Sequence, residues 1–153
     1  MNVKTILVPT DFSEDANEAC LLAREWARSF DAKLHLVHAY YLDIPPTFYA
    51  GDTVGYTNLQ PILDPMRENA ESAVEDLVKS IDADGIESSS AVVMGHPAEV
   101  ILDEIDRAEA DLIIMGTRGL TGLKHIVLGS TAERIVRMAS CPVMTIKAKP
   151  TGA

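Results

Sequence analysis

An α/β fold built on an open parallel sheet, with helices on both faces, is what this sequence predicts. Three observations predict it. Short apolar runs rich in Val, Ile and Leu alternate with longer segments whose apolar residues recur at helical spacing. The two kinds of segment alternate throughout, as parallel βα units with right-handed crossovers require. A glycine-bearing loop follows the fourth apolar run, where such sheets open to hold a ligand.

The elements follow in order. Val3 to Pro9 is a β-rich run stopped by proline, and Ser13 is placed to cap the helix after it. Glu14 and Asp15 suit the positive end of that helix's dipole, and Ala16, Ala19, Cys20, Ala23, Ala27 and Phe30 form its apolar face. Lys33 to Tyr40 is the second strand. Met66, Ala70, Val74, Leu77, Val78 and Ile81 mark a second amphipathic helix ending near Gly85. Ser88 to Met94 is the third strand, and Pro97 opens a helix carried by Val100, Ile101, Ile105 and Ala108. Leu112 to Met115 is the fourth strand, a fourth helix begins at about Ser130, and Pro142 to Lys147 is the fifth strand. The expected strand order is 3-2-1-4-5, with strands one and four adjacent where the winding reverses. Asp11 and Gly116 then sit together just past their carboxyl ends. Residues 1–150 are expected to form one domain.

The segment from Tyr41 to Gln60 has two prolines, two glycines and no periodicity. Leaving the end of strand two, it is either a lid over the ligand site or a plain surface loop.

The loop after strand four carries the chemistry. Gly116-Thr-Arg-Gly119 is followed by nine residues and then Gly129-Ser130-Thr131. Glycines let backbone approach an anion, and the free N–H groups of a helix's first turn point at it. From Leu112 to Ala132 there is no Asp or Glu, while Arg118 and Lys124 are present. In a chain of net charge -10 that basic interruption marks a phosphate site. The plainer readings are turn-forming glycines, Ser130 as a helix cap and Arg118 as a surface charge.

Composition excludes other classes. Twenty-three acidic against thirteen basic residues argue against nucleic acid as a partner. No apolar run approaches the roughly 20 residues of a membrane helix. With no signal-peptide layout, a cytoplasmic location is expected. Two cysteines make no disulfide framework, and neither has a His or Cys partner at metal-ligand spacing. His35 and His38 face opposite ways on one strand, so no metal site is expected from them.

The sequence resembles the universal stress protein superfamily, in its ATP-binding branch. The marks are Val8-Pro9-Thr10-Asp11-Phe12-Ser13, Gly95-His96-Pro97 and Ile113-Ile114-Met115-Gly116. The family signature G-x2-G-x9-G-[S/T] is met by Gly116, Gly119, Gly129 and Ser130. The resemblance implies a Rossmann-like fold and a stress-response or signalling module that binds ATP, with AMP or ADP as related ligands. It implies that Pro9, Thr10 and Asp11 contact the ribose and adenine side, with a backbone contact to adenine near Ala39. Met115, Gly116, Arg118, Gly119, Gly129, Ser130 and Thr131 would meet ribose and phosphates, and Lys124 and His125 stand at positions the motif leaves free. Mg²⁺ or Mn²⁺ bridging the phosphates, and a homodimer paired through Val143 to Ile146, belong to the same implication.

Catalysis is the weaker reading. The G-x4-G-K-[S/T] lysine and the G-x-S-x-G elbow are both absent, so any ATP hydrolysis is expected to be slow. A phospho-acceptor switch is rejected, because Asp11 is followed by Phe12 and strand three ends in Met94-Gly95. The remaining alternative is a stress protein that binds no nucleotide and works through protein partners.

Overall fold

The computed structural model describes residues 2–43, 59–119 and 128–149. Five strands and four helices alternate in these segments: β1 (Thr5–Pro9), α1 (Glu14–Phe30), β2 (Lys33–Tyr40), α2 (Gln60–Asp82), β3 (Ser88–Met94), α3 (Pro97–Arg107), β4 (Leu112–Gly116), α4 (Ser130–Met138) and β5 (Val143–Ile146). All sheet pairings are parallel, in the order β3-β2-β1-β4-β5.

Period-two alternation along the central strands divides the interior into two cores. Ile6, Val8, Leu34, Leu36, Leu112 and Ile114 face α1 and α2 together with Ala19, Ala23 and Ile81. Leu7, Val37, Ile113 and Met115 face the other way, onto Ile101, Ile105 and Ile135 of α3 and α4. Every residue of β1 is buried, as a central strand covered on both faces must be. Trp26 packs at the margin of the first core, its ring 5.5 Å from that of Phe30.

Several boundaries differ from expectation. Strand β1 begins at Thr5 rather than Val3, because the Asp111 carboxylate accepts from the amides of Lys4 and Thr5 at 2.8 and 3.0 Å. β5 is a residue shorter at each end than Pro142 to Lys147. Helix α2 starts at Gln60, six residues before the first apolar marker, with Pro61 in its first turn and Pro65 inside it. Proline belongs in a first turn, where its missing N–H has no partner to lose.

This topology places the carboxyl ends of β1, β2 and β4 side by side. The winding reverses between β1 and β4, and a crevice opens there.

Candidate functional site

Beyond β1 the chain turns sharply. The Thr10 amide still donates to Val37 O at 2.9 Å, extending the ladder, and Thr10 Oγ1 then accepts from the Phe12 amide. Asp11 Oδ1 accepts from the Ser13 amide at 3.0 Å. The turn holds Phe12 at φ 62, with its ring against His38 at 5.1 Å. Ser13 is the N-cap of α1, as its position predicts; its Oγ accepts from the Ala16 amide and donates to Arg118 O. One short hydroxyl thus joins the first turn of α1 to the loop after β4.

That loop packs directly on α1. A Cβ at Gly116 would lie 2.8 Å from Asp15 C and Cβ and 2.9 Å from Ala16 N, so only glycine fits. At Gly119 a Cβ would lie 2.6 Å from Asp11 Oδ2, closing the loop over the β1 turn. Gly129 returns the chain to the same place, its amide donating to Thr117 O at 2.7 Å.

Helix α4 begins with its donors open. Its N-cap is Gly129, in extended conformation, and among the described residues no side chain caps the first turn. Ser130 is therefore inside the helix rather than its cap, a correction to the plainer reading of that residue. The Glu133 amide is the first to reach back, to Gly129 O at 2.9 Å, leaving the amides of the first turn without an intrahelical acceptor. With the dipole's positive end there, this is an anion-binding geometry.

A cavity of about 430 Å³ lies among these segments, within the size range of small-ligand sites. It is lined by Pro9, Thr10, Asp11, Ala39, Met115, Gly116, Arg118, Gly119, Gly129, Ser130 and Thr131, so every sequence-predicted site residue meets at one space. Lys124 and His125 lie outside the described residues, as does most of the segment read as either a lid or a plain loop; Tyr41, Leu42, Asp43, Leu59 and Gln60 are its described members.

Sequence reasoning missed part of the lining. Val37, Ile101 and Ala132 supply an apolar wall, and His38 and Tyr41 supply polar and aromatic groups at the end of β2. His38 Nδ1 lies 2.8 Å from Thr10 O, which can only accept, so Nδ1 carries the proton. Tyr41 stacks on His96 at 4.8 Å. The pattern "end of strand two" located this region but singled out only Ala39.

The larger omission is Asp15. Read as a dipole-facing residue at a helix start, it is 3% exposed. Its Oδ2 accepts from Thr117 Oγ1, Arg118 N and Arg118 Nε at 2.7, 3.1 and 3.1 Å. Its Oδ1 accepts from Arg118 Nη2 at 2.9 Å and from Ala148 N at 3.0 Å. Burial pushes this carboxyl up, but the bonds from Arg118, Thr117 and Ala148 outweigh burial and hold it at about 2. Arg118 is correspondingly not a loose surface charge. Its Nε–Nη2 edge grips Asp15, and its pKa is raised by that hydrogen bond.

The family model for universal stress proteins matches residues 2–147. The chain belongs to the universal stress protein family. The universal stress protein MJ0531 of Methanocaldococcus jannaschii is 35% identical over 94% of this chain and 82% of its own length. The solved structure of MJ0577, a universal stress protein of the same organism, superposes with a TM-score of 0.83 at 27% identity, covering 99% of this chain and all of that one. A universal stress protein of Archaeoglobus fulgidus, solved in complex with dAMP, shares the fold at a TM-score of 0.63 and 23% identity, covering 96% of this chain and 100% of its own.

Proposed function

We propose that this universal stress protein binds an adenine nucleotide, ATP foremost, in the crevice between β1 and β4, and acts as a nucleotide-responsive signalling module. The observation that carries the reading is the uncapped first turn of α4, opening on the same cavity as Asp11 and Ala39. A triphosphate fits amide donors at a helix N-terminus. A ribose hydroxyl suits the Asp11 carboxylate, and adenine suits the apolar wall and the backbone beside Ala39. The A. fulgidus relative's dAMP is a ligand of the same class.

Among the described residues no three His, Cys, Asp or Glu side chains cluster as ligands for a metal. The reading takes Mg²⁺ or Mn²⁺ as an ion held through the nucleotide's phosphates. The reading includes a cytoplasmic homodimer paired along β5, whose Val143 to Ile146 are partly exposed at a sheet edge. No described helix is long and apolar enough to cross a membrane.

The test is direct. Freshly purified protein is denatured and the released small molecules are identified by mass spectrometry, alongside calorimetric titration with Mg–ATP. The companion variant is Gly129→Asp. Aspartate is a good N-cap and Gly129 has φ -72, so α4 should hold while a negative charge replaces the opening meant for phosphate. ATP bound by the wild type and at least about tenfold more weakly by the variant supports the reading, a change of 1.4 kcal/mol or more. Equal binding by both places the nucleotide elsewhere, and no binding by the wild type defeats the proposal.

A further inference from the structure

We propose that Asp15 is a positioning residue for the phosphate end of this site, aiming Arg118 at the ligand and coupling nucleotide binding to the docking of the segment that leaves β5. The inference rests on the nucleotide reading above and deepens it.

Asp15 joins three parts of the chain that are far apart in sequence. It stands in the first turn of α1, holds Thr117 and Arg118 from the loop after β4, and accepts from the Ala148 amide two residues beyond β5. A carboxylate is the group this junction needs. It takes five donors on two oxygens, whereas an amide offers one oxygen and adds donors of its own. The positive end of the α1 dipole favours its charge as well.

The geometry of Arg118 gives the junction a direction. A guanidinium presents two edges suited to an oxyanion. Arg118 places the Nε–Nη2 edge on Asp15, at 3.1 and 2.9 Å, and so fixes the plane of the fork. The remaining Nη1 end makes no hydrogen bond among the described residues, and Arg118 lines the cavity. Asp15 thus keeps a long side chain in one arrangement, which lowers the ordering entropy a phosphate must overcome.

The same carboxylate gives a link outward. Thr117 N donates to Ile146 O at 2.8 Å, and Ala148, 8% exposed, donates to Asp15. A ligand that orders Thr117 and Arg118 therefore orders the acceptor on which Ala148 docks. By linkage, docking of 147–149 favours the ligand by the same factor.

The experiment compares ATP with adenosine, which has no phosphate, in wild type and Asp15→Asn. Amide hydrogen exchange at Ala148 is followed with and without Mg–ATP. The expected result is an ATP affinity at least tenfold weaker in Asp15→Asn, with adenosine unchanged within twofold. Ala148 exchange should slow on ATP addition in the wild type and not in the variant. Ala148→Pro removes the outer donor while keeping the Asp15–Arg118 pair; it should weaken ATP several-fold, again without touching adenosine. If Asp15→Asn does not fold, this second variant decides. Equal losses for ATP and adenosine, or no loss for either, would overturn the positioning role, and ATP-insensitive exchange at Ala148 would overturn the coupling. A wild type that binds neither ligand defeats the nucleotide reading itself, an outcome distinct from these.

Discussion

Replacing Gly116 with alanine tests whether the loop after β4 is built on close packing against α1. The added methyl would meet Asp15 C and Cβ at 2.8 Å and Ala16 N at 2.9 Å. Ordinary contacts begin near 3.4 Å, so the clash is half an ångström or more on three atoms. Two of those atoms are backbone, in the first turn of α1, and the third belongs to a side chain held by Thr117, Arg118 and Ala148. None can step aside by rotating one bond. Overpacking costs ~1–3 kcal/mol, and fixed neighbours put this site at the upper end, ~3 kcal/mol. For a chain of this length that lowers the melting temperature by roughly 6–12 °C. The control is Gly85→Ala, where φ is +77 and no atom lies within 4 Å of the new methyl. There the left-handed backbone costs about 1–2 kcal/mol, offset in part by a stiffer unfolded chain, leaving ~1 kcal/mol. Urea unfolding followed by far-ultraviolet circular dichroism gives both values. A Gly116→Ala protein as stable as wild type, or more stable than Gly85→Ala, would refute the packing account.

Three further outcomes follow from the site and the core. Asp15 is held below its ordinary 3.8 at about 2, so its ionised form stabilises the fold above pH 4. That contribution, about 2 kcal/mol, is lost as pH falls from 4 through 2; the stability gap between wild type and Asp15→Asn in urea should narrow over that range, and a constant gap would contradict the assignment. Gly119→Ala meets only the far end of the Asp11 side chain, at 2.6 Å. It should cost less than ~1 kcal/mol of stability, while ATP affinity falls about tenfold as Asp11 is displaced; unchanged calorimetric affinity would show that Asp11 has no part in binding. Cys20 is 4% exposed and burial pushes its thiol up, so iodoacetamide should leave it unmodified at neutral pH until the protein is unfolded. Mass spectrometry of the folded protein showing a labelled Cys20 peptide would contradict that placement.

Most of the architecture was legible because it is written in local periodicity. The short apolar runs Ile6-Leu7-Val8 and Leu112 to Met115, and the helical spacing of Val100, Ile101 and Ile105, announce their elements directly. The start of α2 was not legible, because Pro61 and Pro65 read as breakers until the helix around them is seen. At the site, the glycine spacing located the cavity. It did not disclose that Gly116 is required by contact with α1, a neighbour a hundred positions away. Asp15 stayed hidden for the same reason: its partners Thr117, Arg118 and Ala148 are separated from it by 102, 103 and 133 positions. A local pattern shows such a residue only as an acid at a helix start.

The single tryptophan lies on the same helix as Asp15 but near its other end. From Asp15 to Trp26 the axis rises about 16 Å, and the indole rests beside Phe30 at the rim of the core opposite α3 and α4. Its emission is therefore a gauge of whether the α1–α2 side of the molecule is intact, and it is remote from whatever occupies the crevice. Fluorescence changes on adding nucleotide would chiefly register light absorbed by the additive. An optical probe of occupancy belongs instead beside Tyr41 and His96.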